Sequence, residues 1–535
     1  MEREKHEGNV EYKLKIVDKD NTRIEELTTQ LRYRMNEGIQ ECKYIIGVND
    51  DGSIEGITNE EYEKTMENLK IMCDKNNYCI SNIVSRKINK NFYIYEILIR
   101  EKNNTSYINL KVCMCGSVDS GKSSTLSVLV NGIKDNGRGL ARDKICNHIH
   151  EIKFGRTSSI SHQILGFDYS GNITNYSDEK INKLSWNEIV NKSKKIVSFY
   201  DLCGHEKYLK TTITGLSTHK PDISMIIVSA NSGKISNITR EHIYICIVLK
   251  ITFIFVITKM DMIEKRKEVY NETIQSIHKF LKIPGIRRLA LNIKNDDDVS
   301  MAVDKIYSEG ITPIFEISNV SGLGIQNLTK FYNLLSPKLI DNSNKNDILL
   351  YIDYIFNVKG VGLVVGGNLI SGTLEVGNYV HIGPFSDNNY KKVQIKSIHC
   401  KRVSLEKVDY KSYVCMNFKG VDKKYIRKGQ VCLSPNISPK SYNKFTAKIH
   451  IIKTHSTTIK LGFEPIVHVN SVRQPIKLIK IIKNISSNNN EIIRAGERAI
   501  CQFQFLLKNE FIQKKDTIYL TSGLGTGYGI ITEIL

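Results

Sequence analysis

The sequence predicts a multidomain α/β plus all-β fold, with a small α+β domain over residues 1–108, a doubly wound α/β domain over 109–340, and two β-barrels over 347–435 and 440–535. Three observations predict it. The 535 residues are too many for one core and suit three or four, at roughly 100–200 residues per domain. Between about 109 and 340, short continuous apolar runs alternate with helical stretches, as parallel strands covered on both faces require. After the polar linker at 341–346 the helical periodicity stops, and apolar runs separated by Gly, Asn and Asp turns take over.

Composition excludes several classes. Hydrophobic residues make up 41% and charged residues 25%, with one Trp and nine Pro, which suits a folded globular chain and leaves little room for low-complexity structure. No run approaches the roughly 18 apolar residues needed to span a bilayer, and the start, MEREKHEGNVEYK, has neither an apolar stretch nor a small-residue cleavage site. Membrane insertion and secretion are not expected; a cytoplasmic setting is. The twelve cysteines occur singly apart from Cys113 and Cys115, whose CxC spacing differs from the CxxC pairs of zinc sites, so they read as reduced thiols. Lys and Arg exceed Asp and Glu by 76 − 56 = +20, a balance that suits a polyanion such as RNA, although the abundance of Lys, Ile and Asn also matches AT-rich codons. Residues 1–108 carry 17 basic and 20 acidic side chains, whereas 436–535 carry 14 and 6, so the basic excess lies outside the N-terminal region.

In the N-terminal domain, 44–48 reads as a strand, Asn49-Asp-Asp-Gly52 as a turn, and Thr58 with Glu61 as a capping box opening a helix through Met72. Residues 93–99 alternate like a second strand. No chemistry is visible here. In the α/β domain, 110–114, 196–200, 223–228, 251–257 and 311–317 read as parallel strands, and Ile274, Ile277 and Leu281 repeat at helical spacing. The stretch 168–195, with Trp186, is polar and irregular and reads as an insertion. Runs at 351–358, 360–365 and 393–398 read as barrel strands, and the break at 436–440 divides two strand-rich units, each the size of a small barrel.

The chemistry begins at the end of the first α/β strand. Gly116, Ser117, Val118, Asp119, Ser120, Gly121, Lys122 and Ser123, followed by Ser124, fit GxxxxGK[ST] between a strand and a helix. Such a loop turns backbone N–H groups onto phosphates at a helix N-terminus whose partial positive charge favours anions. Lys122 then reaches the β- and γ-phosphates, and Ser123 offers its hydroxyl to Mg²⁺. Asp201-Leu-Cys-Gly204-His205 ends the second strand, with an acid able to hold the Mg²⁺ water shell, a Gly whose N–H can meet the γ-phosphate, and a His able to orient water. Thr258-Lys259-Met-Asp261 and Ser318-Asn319-Val320-Ser321 end two more strands, so four motifs close four parallel strands at the edge where α/β ligands bind.

This order of motifs, with a Thr in the intervening loop, resembles the translational GTPases related to elongation factor Tu. Val358-Lys-Gly-Val-Gly362 with Ile370-Ser-Gly-Thr-Leu374 is similar to the second domain of that class, and His455-Ser-Thr-Thr458, Val472-Arg-Gln474 and Ala495-Gly-Glu497 to its third. The stretches Asp135-Asn-Gly-Arg-Gly-Leu-Ala-Arg142, Gly155-Arg-Thr-Ser158 and Gly204-His-Glu-Lys-Tyr-Leu-Lys-Thr-Thr212 resemble the GTP-binding protein 1 and GTP-binding protein 2 family over nearly the whole chain. The resemblance implies a Mg²⁺-dependent GTPase that binds GTP and GDP. It implies that Asp261 pairs with the guanine edge, Lys259 packs on the ring, and Ser318, Asn319 and Val320 form the supporting loop. Thr157 would close on Mg²⁺ with Ser123 and Asp201, Asp119 would sit beside the phosphates, and His205 would orient water with Lys122 and Gly204 at the phosphate. Aminoacyl-tRNA and the ribosome are the implied partners of a monomeric chain, with no DNA or membrane.

Two departures stand out. The guanine motif starts with Thr258 where Asn is usual, a shorter hydroxyl expected to make fewer hydrogen bonds to the phosphate loop. Arg156 stands where an apolar gate residue usually faces Val118; it would be either a finger on the phosphates or a solvated surface contact. Cys203 reads as a small buried filler, and His148 and His150 as solvated residues without a metal-ligand set. A GTP-regulated adaptor in RNA metabolism, favoured by the added N-terminal domain, and an ATP-using P-loop enzyme, disfavoured by Asp261, are the alternative functions.

Overall fold

The computed structural model of the chain describes residues 3–18, 20–38, 40–102, 107–145, 160–176, 184–284, 286–308, 310–338, 347–454, 458–487, 491–522 and 525–535, with side chains omitted at 265, 453, 454, 525 and 526. His148, His150, Arg156, Thr157 and the linker at 341–346 lie outside them.

The N-terminal unit comprises β1 (Val10–Lys13), α1 (Asn21–Glu37), β2 (Glu41–Ile46), α2 (Asn59–Lys75), β3 (Tyr78–Lys87) and β4 (Tyr93–Glu101), in a sheet ordered β1-β2-β4-β3. Both halves of the capping box form: Glu61 N donates to Thr58 Oγ1 at 3.4 Å, and Thr58 N donates to Glu61 Oε2 at 3.0 Å. The helix runs three residues beyond Met72, to Lys75. Leu27 and Leu31 of α1 pack with Leu69 and Met72 of α2 against Ile97 and Ile99. Strand β2 starts at the buried Glu41, three residues before the expected Tyr44, because it pairs with β1 on one side and β4 on the other.

The α/β unit runs β5 (Ile108–Gly116), α3 (Lys122–Asn131), α4 (Leu140–Asp143), β6 (Ser161–Phe167), α5 (Trp186–Lys192), β7 (Lys195–Asp201), α6 (Leu209–His219), β8 (Ile223–Ser229), α7 (Asn237–Val248), β9 (Thr252–Thr258), α8 (Lys267–Leu281), β10 (Leu289–Ile293), α9 (Asp296–Lys305), β11 (Ile311–Glu316) and α10 (Ile325–Leu334). Its sheet order is β10-β11-β9-β8-β5-β7-β6, parallel except for β6. The five expected strands are the five inner ones. The two edges, β6 and β10, were not expected. Nor is 168–195 wholly irregular: Ser185 and Glu188 form a capping box that opens α5, and Trp186 packs edge-on against His162 at 5.1 Å. Two apolar clusters cover the sheet, one beneath α3 and α10, the other beneath α6, α7 and α8.

Two closed barrels follow. In the first, Leu349–Val358, Gly362–Ser371, Tyr413–Lys419, Lys391–Cys400, Tyr379–Gly383 and Val431–Leu433 form an antiparallel ring. The second is closed by Lys444–Thr454, Arg498–Phe505, Val472–Asn484, Ile466–Val469, Thr517–Thr521 and Gly525–Ile534. A bidentate pair joins the barrels, Arg427 Nη1 and Nη2 each donating to the Glu510 carboxylate at 2.9 Å. Among the described residues no helix is long and apolar enough to cross a membrane.

The N-terminal sheet docks on the α/β unit through buried charge. Arg100 donates from Nη2 to Asn333 O at 2.6 Å, from Nη1 to Asn333 Oδ1 at 2.8 Å and from Nε to Glu41 Oε2 at 3.2 Å. Lys195, the first residue of β7, donates to Asn333 O at 2.8 Å and Leu335 O at 2.6 Å, and Ser336 Oγ donates to Glu41 Oε1 at 2.5 Å. Arg100, Glu41 and Lys195 are all fully buried.

Candidate nucleotide site

The C-terminal ends of β5, β7, β9 and β11 bring the motifs together at one edge. The turn after β5 needs special backbone: Gly116 has φ 146°, and a Cβ there would lie 2.4 Å from Ile227 O. Asp119 and Gly121 also adopt positive φ, and Gly121 caps α3. Lys122 is buried and donates to Gly116 O at 3.1 Å and Ser117 O at 2.8 Å. Burial pulls its ammonium pKa below the usual range, against the attraction of Asp201. Ser120 Oγ donates to Ser117 O at 2.8 Å, closing the loop on itself.

Ser123 Oγ donates to Asp201 Oδ2 at 2.6 Å, joining the start of α3 to the end of β7. These are hard oxygen donors, the chemistry that suits Mg²⁺. Thr157 lies outside the described residues. Gly204 is confined: a Cβ there would lie 2.4 Å from Lys122 Nζ and 2.6 Å from Gly116 O. His205 caps the short turn Glu206–Tyr208, its Nδ1 accepting from Lys207 N at 3.1 Å. Cys203 is fully buried.

At the other end, Ser318 Oγ donates to Asp261 Oδ1 at 2.6 Å, and Val320 N and Ser321 N donate to Ser318 Oγ at 3.3 and 3.1 Å. Lys259 turns the chain with φ 63°. Asn319 bonds away from the cavity: its Nδ2 donates to Thr125 Oγ1 of α3 at 3.1 Å. Thr258, the short substitute for Asn, still ties the loops together, its Oγ1 donating to Ser120 O at 2.6 Å. A cavity of about 310 Å³ lies over the phosphate loop, lined by Val118, Asp119, Gly121, Lys122, Ser123, Ser124, Gly204 and His205, with Lys259 reaching it from the turn after β9.

Two features escaped the sequence reading. Asp135, Gly137, Arg138, Gly139 and Arg142 also line the cavity. His242, on α7, is fully buried and accepts from Gly116 N at 3.3 Å through Nδ1. Burial, aided by the Lys122 charge, pushes His242 down to about 3, so the ring is neutral and can accept that bond. A lone His among apolar residues of a helix gives no sequence signal for this role.

Residues 108–338 match the elongation factor Tu GTP binding domain. Over 543 aligned residues the chain is 36% identical to GTP-binding protein 2 of Mus musculus, covering 99% of this chain and 88% of that one. The chain belongs to the GTP-binding protein 1 and GTP-binding protein 2 family. GTP-binding protein 1 of Xenopus laevis is 33% identical over 530 residues, covering 98% of this chain and 79% of that one. The translation elongation factor SelB of Methanococcus maripaludis, solved with the GTP analogue GppNHp, shares the fold with a TM-score of 0.56 at 19% identity, covering 81% of this chain and 80% of that one. As a member of the family the chain is a translational-type GTPase, binding GTP and converting it to GDP and phosphate.

Proposed function

We propose that this GTPase is a Mg²⁺-dependent switch of the translation elongation factor class that engages aminoacyl-tRNA and the ribosome in the cytoplasm. The observation that carries the switch reading is the cavity lined by the phosphate loop with Lys122, Ser123, His205 and Lys259, the adjoining loops being held by the Ser318–Asp261 and Ser123–Asp201 bonds. Asp261 would accept from the guanine N1–H and N2–H groups, which adenine cannot supply. Lys259 would cover the ring, Ser318 would hold the Asp261 carboxylate, and Asn319 would hold its loop against α3. Backbone N–H groups from Val118 to Ser124 and the Lys122 ammonium would hold the phosphates.

Ser123 and Asp201, with Thr157, would hold Mg²⁺. When bound, the ion neutralises charge shared by the β- and γ-phosphate oxygens. Water attacks the γ-phosphorus as the bond to the β–γ bridging oxygen breaks; GDP leaves with that oxygen, and the water proton ends on phosphate. His205 orients the water. Its Nδ1 accepts from Lys207 N at 3.1 Å, which leaves Nε2 as the ring nitrogen to meet the water. The Gly204 N–H would donate to the γ-phosphate.

Support for an RNA partner comes from the outer face of the second barrel. Lys444 and Lys448, Arg498, and Lys477, Lys480 and Lys483 project from three adjacent strands and are exposed. By the register, Lys444 and Lys477 flank Gln504, and Lys448 and Lys483 flank Ile500, two strand spacings or about 10 Å apart, so the cations form two rows across one face that phosphates can meet. Two measurements test the proposal together: GTPase rate with and without ribosomes carrying an empty A site, and tRNA binding in the GTP and GDP states. Hydrolysis indifferent to ribosomes, with no nucleotide-dependent tRNA binding, would favour the adaptor reading that the added N-terminal unit invites.

A further inference from the structure

The stretch from Asp135 to Arg142 carries two guanidinium groups that the nucleotide motifs do not use, and the fold brings both to the nucleotide cavity. The loop is anchored at its start. Asp135 N donates to Asn319 O at 2.9 Å, tying it to the loop that follows β11. The Asp135 carboxylate accepts from Ala141 N at 3.0 Å, and Asn136 Oδ1 accepts from Arg138 N at 2.9 Å and Leu140 N at 3.3 Å. Two side chains at the entrance therefore hold the backbone of the exit.

Gly137 and Gly139, at φ 77° and 95°, let the chain double back between those anchors. Ala141 is buried beneath the turn. Arg138 is exposed and Arg142 half-buried, its Nη2 lying 3.6 Å from Asp143 Oδ1. Both line the cavity that also holds Lys122, Ser124 and His205. A guanidinium fork matches phosphate oxygens two at a time, and a held loop keeps the entropic cost of that contact low.

We propose that Arg138 and Arg142 form a second cationic wall that grips the phosphates of the bound guanine nucleotide alongside Lys122. The proposal rests on the assignment of this cavity to GTP. It ties the base end of the site to the phosphate end, because the loop carrying the arginines hangs from Asn319.

The test uses the full chain, fluorescent GTP and GDP analogues, and the double variant Arg138→Ala/Arg142→Ala. GTP affinity is expected to fall about tenfold or more, the scale for losing charge-assisted hydrogen bonds, with a smaller loss for GDP. The melting temperature without nucleotide should stay unchanged, and Arg138→Lys/Arg142→Lys, which keeps charge but not the fork, should recover part of the affinity. Lys122→Ala separates the two levels. If GTP affinity survives both Lys122→Ala and the arginine changes, the cavity is not the nucleotide site. If it falls in Lys122→Ala but stays within about twofold of the parent in the arginine variant, the second wall alone is overturned. Should the double variant lose its fold, Arg138→Gln and Arg142→Gln read singly against the same limits.

Discussion

Replacing Glu41 with Gln should unfasten the N-terminal unit from the α/β unit. Glu41 is fully buried between Arg100, 3.2 Å away, and Lys195, 3.9 Å away. Burial alone would raise its pKa, but the Lys195 and Arg100 charges outweigh burial and hold the carboxyl below the usual range. The amide leaves the buried Arg100 guanidinium without a counter-ion, while Lys195, whose ammonium pKa burial already pulls down to about 7, sheds its proton; breaking a buried pair this way costs about 3–5 kcal/mol. Arg100 keeps both Asn333 contacts and Lys195 keeps two carbonyls, so the lower end applies, about 3 kcal/mol. With an unfolding entropy of about 0.7 kcal/mol/K for two units of this combined size, the melting transition of the first two units should fall by about 4 °C. Differential scanning calorimetry of parent and variant measures it. Because the folded pKa of Glu41 is lowered, its stabilisation is present above the unfolded carboxyl value of about 4.3 and is lost as pH falls through the folded value. The carboxylate's share of the gap between parent and variant should therefore be present at pH 7 and shrink in acid. A variant melting within about 1 °C of the parent at pH 7 would refute the fastening role.

Three further outcomes are expected. Asp261→Asn should shift preference from GTP toward xanthine nucleotide, because the amide donates where the carboxylate accepted; unaltered GTP affinity in competition binding would remove Asp261 from the base site. His205→Ala should keep GTP affinity but lower ribosome-stimulated hydrolysis by about 10²-fold or more, read in single-turnover phosphate release, and a full stimulated rate would exclude His205 as the water-orienting group. Charge reversal at Lys448 and Lys480 should weaken tRNA binding and flatten its salt dependence by about 0.7–0.9 unit of slope for each phosphate no longer neutralised, with an intact intrinsic GTPase rate as the folding control; an unchanged slope would make the barrel charge compositional.

What was legible in the sequence follows from burial. Strands β5, β7, β8, β9 and β11 lie inside the sheet with both faces covered, so they write themselves as continuous apolar runs. The edges β6 and β10 do not: Leu289 in β10 is 68% exposed, and β6 mixes His162 and Gln163 into its core positions. The phosphate loop was legible because a fixed spacing of glycines carries its geometry. Thr258 was harder, since its compensation is a contact with Ser120 O, 138 residues away in sequence. Asn319 reads as a base-loop residue, but its amide bonds to Thr125, another partner that no local pattern announces. Glu41 and Arg100 look like surface charges in sequence and become core only when two units meet.

That meeting has a practical consequence for anyone dissecting the chain. Strand β7 has Lys195 at one end and Asp201 at the other, and the Lys195 end sits under the N-terminal sheet. A truncation starting near residue 109 would not yield a minimal GTPase with an accessory removed. It would strip the lid from Lys195, deprive Asn333 of its guanidinium, and open the floor of the sheet at the far end of the strand that delivers Asp201. Poor hydrolysis by such a fragment would then report a damaged foundation, and would say nothing about whether the N-terminal unit regulates the reaction.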